Sequence, residues 1–150
     1  QHWELMSEFS ITSSDFEEGE EIPKECGYKH GNVAPWIEFN HTPEGTKCKA
    51  LIMDDPDAMA AVGKVWVHWL YYEFSTADDN TENLIHGKTD FDESAYGGPA
   101  PPDKRHRYVF KGYALDTVLD LKEGYSKQEL EDAMKGHIIA EAKLTGTFAP

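Results

Sequence analysis

Three short runs in this chain carry groups able to bind a charged ligand or move a proton: Asp55-Pro56-Asp57, His68 inside the apolar run 65–74, and His106-Arg107-Tyr108. The last of these follows Gly97-Gly98-Pro99-Ala100-Pro101-Pro102, where three prolines and two glycines fix a backbone path. Proline holds φ near one value and removes an N–H donor, while glycine permits close approach of another chain segment. Histidine N–H groups, a tyrosine hydroxyl and loop amides are donors able to hold an anionic oxygen. The two aspartates are acceptors, suited to an ammonium group or to fixing a histidine tautomer. Taken together, the runs point to a small polar pocket for a phosphate-bearing headgroup, with or without an amine. Two ionised aspartates would repel a phosphate dianion, so at least one must be engaged by a donor or face away. Arg107 lies between His106 and Tyr108 on a strand and points to the opposite face by the period-two rule, which removes it from the ligand set.

Each run also has a plainer reading. Asp-Pro-Asp is a common turn, a single histidine in an apolar strand is commonly a satisfied core residue, and Arg107 and Tyr108 fit a cross-strand ion pair and an aromatic core contact. A third reading makes Asp57, His68 and His106 an open metal site, and with it a hydrolase or metal-assisted enzyme. No His-x-His or His-Glu-x-x-His spacing supports it. Ser94 has no Gly-x-Ser-x-Gly context and neither Cys26 nor Cys48 stands in a motif with histidine, so nucleophilic catalysis is not indicated. The expectation is a binding protein without catalytic activity, metal or cofactor, with Cys26 and Cys48 as separate thiols.

The elements that must position these groups read as mostly strand. At 150 residues the chain is expected to form a single domain, residues 1–150. Spacing predicts strands over Phe9 and Ile11, over 36–39, 47–53, 65–74 and 107–115, and from about residue 138 to 148. The run 65–74 is almost wholly β-branched and aromatic, which predicts a central strand buried on both faces. Residues 42–46 read as a turn and 78–83 as a polar connection. The one clear helix signal is the capping box Ser126-Lys127-Gln128-Glu129, followed by Leu130, Ala133, Met134 and Ile138 at helical spacing. The predicted architecture is a β-dominated domain with one helix near the carboxy terminus, an antiparallel or mixed sheet packing of sandwich or Greek-key type.

The formal net charge is −14, from 14 Lys and Arg against 28 Asp and Glu, which opposes binding to nucleic acid or to an anionic membrane surface. No apolar run approaches the roughly 18–20 residues that span a bilayer. A soluble protein is expected, cytoplasmic or else exported after signal cleavage, as a monomer or homodimer.

Several motifs, in one order along the chain, resemble the phosphatidylethanolamine-binding proteins, also called Raf-kinase-inhibitor-like proteins, and in particular their short bacterial and archaeal branch. They are Gly31-Asn32-Val33-Ala34-Pro35, Pro43-Glu44-Gly45-Thr46, residues 50–58 with Asp-Pro-Asp-Ala, Val67-His68-Trp69-Leu70, Gly97-Gly98-Pro99-Ala100-Pro101-Pro102, His106-Arg107-Tyr108, and Gly136-His137 through Gly146-Thr147. The resemblance implies a large central antiparallel sheet packed on a smaller one, with peripheral helices and an anion pocket near the surface. It implies that Asp55, Asp57, His68, Gly98, Pro101, Pro102, His106 and Tyr108 line that pocket. It further implies phosphate, phosphomonoester or phosphoethanolamine-type headgroups as ligands, and a kinase or other signalling protein as partner. Two residues depart from the family pattern: Met59 stands where proline often follows Asp-Pro-Asp-Ala, and Asp92 where glycine is expected.

Overall fold

A computed structural model describes residues 8–74 and 84–150, and the expected polar connection at 78–83 lies outside them. Seven strands are described: β1 Ser10–Thr12, β2 Glu38–Asn40, β3 Cys48–Asp55, β4 Trp66–Glu73, β5 Ile85–His86, β6 His106–Leu115 and β7 Ile138–Phe148. Two helices accompany them, α1 Ala58–Val62 and α2 Lys127–Met134. Strands β5-β4-β3-β6-β7 form an antiparallel five-stranded sheet, and β1 pairs with β2 in a second, two-stranded one. This is the predicted large sheet with a smaller partner. Among the described residues no helix is long and apolar enough to cross a membrane.

Strand β3 is buried at every residue because both faces of the sheet are covered. On one face Leu51, Met53, Trp69 and Phe110 pack against Ile11 and Phe39 of the small sheet. On the other, Ala50, Ile52, Leu70 and Tyr72 pack against Leu130 and Met134 of α2. The central position thus belongs to β3. Strand β4 is buried on both faces as its composition predicts, but only the two-residue β5 lies beyond it. Residues 19–22 bond to the outer edge of β7, with Gly19 donating to the Thr145 carbonyl at 2.7 Å and Ile22 to that of Thr147 at 2.8 Å. That contact removes an open edge from the sheet.

The capping box forms as read: Glu129 N–H donates to Ser126 Oγ at 3.0 Å, and Ser126 N–H to Glu129 Oε1 at 2.9 Å. Helix α1 has no counterpart in the sequence reading. Five residues are too few to show a helical period, although Ala-Met-Ala-Ala has high helix propensity and Gly63 ends the helix at φ 80°.

The small sheet lies directly over Gly112 of β6, where an added Cβ would stand 2.6 Å from Ile11 Cγ2 and 3.0 Å from Phe39 Cε2. Gly112→Ala therefore overpacks the junction between the sheets. We expect a loss of about 1–3 kcal/mol in stability by urea denaturation; an unchanged midpoint would mean that the small sheet lifts away freely.

Candidate functional site

Three strand ends meet at one end of the large sheet: Asp55 closes β3, Trp66 and His68 open β4, and His106 and Tyr108 open β6. Alternation along β3 sends its last two acids to opposite faces. Asp54 turns toward α2, where Lys127 Nζ bonds it at 2.9 Å with Lys111 at 3.8 Å, and Asp55 turns toward the rings of β6.

The orientation of His68 rests on a break in register. Met53 pairs with Trp69 while Asp54 pairs with Val67, so His68 is an extra residue in β4, a β-bulge. Strict alternation would place His68 on the face opposite Trp69. The bulge instead sets its ring edge-on to Tyr108 at 5.2 Å and to Phe91 at 5.4 Å.

These side chains bound a cavity of about 200 Å³. Its polar part is Asp55, His68, His106 and Tyr108, and its apolar part comes from α1 (Ala58, Ala61, Val62), from Trp66 and Phe91, and from Ala100 and Pro102 of the proline loop. Asp55 organises the floor. Its Oδ1 accepts the N–H groups of Asp57 at 2.9 Å and Ala58 at 3.2 Å, which starts α1, and its Oδ2 accepts His106 Nδ1–H at 2.6 Å. His106 Nε2 meets Asp103 Oδ1, also at 2.6 Å. With a carboxylate on each ring nitrogen, the arrangement favours the imidazolium, in which both nitrogens carry protons. Burial alone would lower the His106 pKa, but the hydrogen bonds and charges of Asp55 and Asp103 outweigh it and raise the value.

His68 is the opposite case. Its Nδ1–H donates to the Gly97 carbonyl at 2.7 Å, which leaves Nε2 as the remaining ring nitrogen at the cavity wall. Burial pushes its pKa below the ordinary histidine value, with the Gly97 carbonyl opposing only in part, so the ring is neutral. The Tyr108 side chain is fully buried. Its hydroxyl lies near Asp55 and the Ala100 backbone but makes a hydrogen bond with no group among the described residues. Burial first, then the Asp55 charge, raises its pKa and keeps it a donor.

Of the eight expected site residues, Asp55, His68, Pro102, His106 and Tyr108 meet at this cavity. Asp57, Gly98 and Pro101 are placed elsewhere. Asp57 is engaged by Arg107: its Oδ2 accepts the Arg107 N–H at 2.8 Å and Nε–H at 3.1 Å, and its Oδ1 accepts Nη2–H at 2.9 Å. The Arg107 hydrogen bonds hold the Asp57 pKa down at about 2. Arg107 lies outside the cavity, as alternation requires. Gly98 serves chain packing, because an added Cβ would sit 2.0 Å from the Cys26 carbonyl oxygen, and its N–H donates to Asn32 Oδ1 at 2.7 Å. Pro101 faces a separate cleft beside Lys29, His30 and Phe148. The sequence reading missed Asp103 and all of the apolar wall except Pro102. The one available signal for Asp103 was its spacing of three residues before His106.

The fold and site define a two-sheet β protein with a small, partly apolar pocket at the strand ends. Residues 12–149 match the family model described as phosphatidylethanolamine-binding protein. The chain belongs to the phosphatidylethanolamine-binding protein family. A UPF0098 protein of Chlamydia muridarum is 39% identical over 145 residues, covering 92% of this chain and 97% of that protein. The crystal structure of the phosphatidylethanolamine-binding protein homologue CT736 of Chlamydia trachomatis superposes with a TM-score of 0.85 at 36% identity, covering 95% of this chain and 97% of the other. Escherichia coli YbcL, described as a member of the mammalian family, gives 0.84 at 29% identity, with 94% and 98% covered.

The two histidines should titrate apart by NMR, His106 above and His68 below the ordinary value. For His106 the raised folded-state pKa means that its contribution to stability is complete below the unfolded value of 6.5 and is lost as pH rises through the folded one. Asp103→Asn keeps an acceptor on Nε2–H and removes a charge, so the His106 titration should move down; no movement would exclude the pairing with Asp103.

Proposed function

We propose that this chain is a binding protein for a small oxyanion of the phosphate or phosphonate type, held in the cavity without turnover. The observation that carries the reading is the Tyr108 hydroxyl, fully buried at the cavity wall near Asp55 and the Ala100 backbone, with no hydrogen bond of ordinary length to any of the described residues. A buried polar group left unpaired is costly, which makes it a natural point for a ligand oxygen.

His68 is the second contact, and it brings a proton with it. The ring is neutral, so an oxyanion binds either with protonation of Nε2 or as an acid whose own O–H donates to Nε2. Protonation of Nε2 takes up one proton, so affinity by that route rises as pH falls, whereas an oxyanion that already carries an O–H, as HPO4²⁻ does, donates it to Nε2 with no proton taken up. The ion repulsion that two aspartates would impose is relieved here, since Asp55 is bonded to His106 and Asp57 to Arg107. What favours binding over catalysis is that Asp57, His68 and His106, the set an open metal site would use, do not share one point: Asp57 is turned to Arg107 and both His106 nitrogens are engaged. Modulation of a kinase or other signalling partner enters this reading as a consequence of occupancy, through α1, which lines the cavity and leaves Met59 and Val62 half exposed.

Calorimetric titration with inorganic phosphate tests the proposal. Tyr108→Phe should weaken binding by about ten- to a hundredfold, the equivalent of one hydrogen bond to a charged group at roughly 1.5–3 kcal/mol. If Nε2 is protonated on binding, affinity should strengthen between about pH 8 and about pH 6 with proton uptake from the buffer; binding through the oxyanion's own O–H shows none. Equal affinity in native and Tyr108→Phe protein would overturn the assignment.

A further inference from the structure

We infer that the cavity selects an oxyanion carrying a compact apolar substituent, aryl or short alkyl, and discriminates against an aminoalkyl one such as the ethanolamine group. This rests on the oxyanion reading above and adds the chemistry of the group attached to it.

An ammonium carries three donors that need oxygen partners once they leave water. Asp55 is the carboxylate of the cavity wall, and three of its roughly four acceptor positions are filled by Asp57 N–H, Ala58 N–H and His106 Nδ1–H. Asp57 spends both oxygens on Arg107 outside the cavity, and Asp103 spends one on His106. The His68 carbonyl accepts from Gly97 N–H and the Gly97 carbonyl from His68 Nδ1–H.

Aromatic faces are the other place an ammonium can rest. Those of Trp66 and Phe91 are already engaged, and Tyr108 stands edge-on to His68. Lys64 Nζ lies 5.8 Å from the Trp66 ring centroid, a cation on that ring which itself repels a second. Tyr28 stacks on Phe91 at 4.2 Å between centroids, and Trp66 and His68 stand edge-on to the same ring. What remains is an apolar wall of Ala58, Ala61 and Val62 facing Phe91, Ala100 and Pro102. A buried cation there would lose its hydration without replacement, whereas hydrocarbon would gain from leaving water. The space suits this, since an apolar cavity of about 150 Å³ accommodates benzene and this one measures about 200 Å³ with its polar floor included.

The test uses a matched set of phosphonates, in which a P–C bond excludes hydrolysis: propylphosphonate, its ammonium analogue 2-aminoethylphosphonate, and phenylphosphonate, with inorganic phosphate as reference, all titrated calorimetrically into the native protein at one pH and ionic strength. Propyl- and phenylphosphonate are expected to bind at least tenfold more tightly than 2-aminoethylphosphonate. Tyr108→Phe should weaken all three by a similar factor and leave their ratios in place. If phosphate binds and 2-aminoethylphosphonate binds as tightly as propylphosphonate, the inference falls and the oxyanion reading stands. If neither phosphate nor any phosphonate binds, both fall. Propylphosphonate binding indifferent to Tyr108→Phe would put the ligand at another site and overturn the inference.

Discussion

A single buried carboxylate, Asp55, ties together the parts of this protein that matter for ligand recognition. One of its oxygens fixes the two N–H groups that begin α1, and the other fixes the protonated ring of His106 at the start of β6. The end of the central strand, the helix that walls the cavity and the first residue of the neighbouring strand are thereby set by one group. A charge so deeply buried is tolerable only when paired, and Asp103 completes the arrangement from the solvent side by taking the second N–H of the ring. The cost of breaking a buried ion pair, about 3–5 kcal/mol, falls on whichever partner is left behind. Asp55 and His106 are therefore bound to each other first, and only their surfaces remain for a ligand.

Much of the architecture was legible because it follows from periodicity. Residues 107–115 alternate apolar and polar positions and form β6 with Phe110 and Tyr113 on opposite faces. The capping box at Ser126 announces α2, and the switch to period two near residue 138 announces β7. Strand β3 was harder to rank, since its run of buried residues includes Lys49, paired with Glu73 directly across at 3.5 Å. A lysine in the pattern hides the centre of a sheet from any reading of hydropathy.

The site was legible as a collection of residues and not as an arrangement. Its motifs lie at the strand ends that bound the cavity, yet chain pattern cannot say which of two aspartates two residues apart faces inward. Alternation would send both to one side, but the strand ends at Asp55, and Asp57 turns back to Arg107. The His68 bulge is likewise invisible in one sequence, because it exists only as a mismatch in register between two strands. The apolar wall on α1 escaped for a different reason: alanine and valine carry no chemistry by themselves, and it is their position opposite Phe91 that gives them a role. Asp92, standing where glycine was expected, adopts φ 64° in the same loop as Phe91, so the backbone keeps the left-handed turn that the pattern anticipates.

The packing of Gly98 has a bearing on how fast a ligand comes and goes. The loop that carries Ala100 and Pro102 is pinned to the segment 26–28 by backbone contact at Gly98 and by the bond from Tyr28 N–H to the Pro99 carbonyl at 2.9 Å. Such a wall cannot swing, because any outward movement gives up that bond and the one from Gly98 to Asn32 together. The proline loop is then a fixed side of the cavity among the described residues. Where a wall is preformed in this way, differences in affinity among related ligands are expressed mostly as differences in residence time.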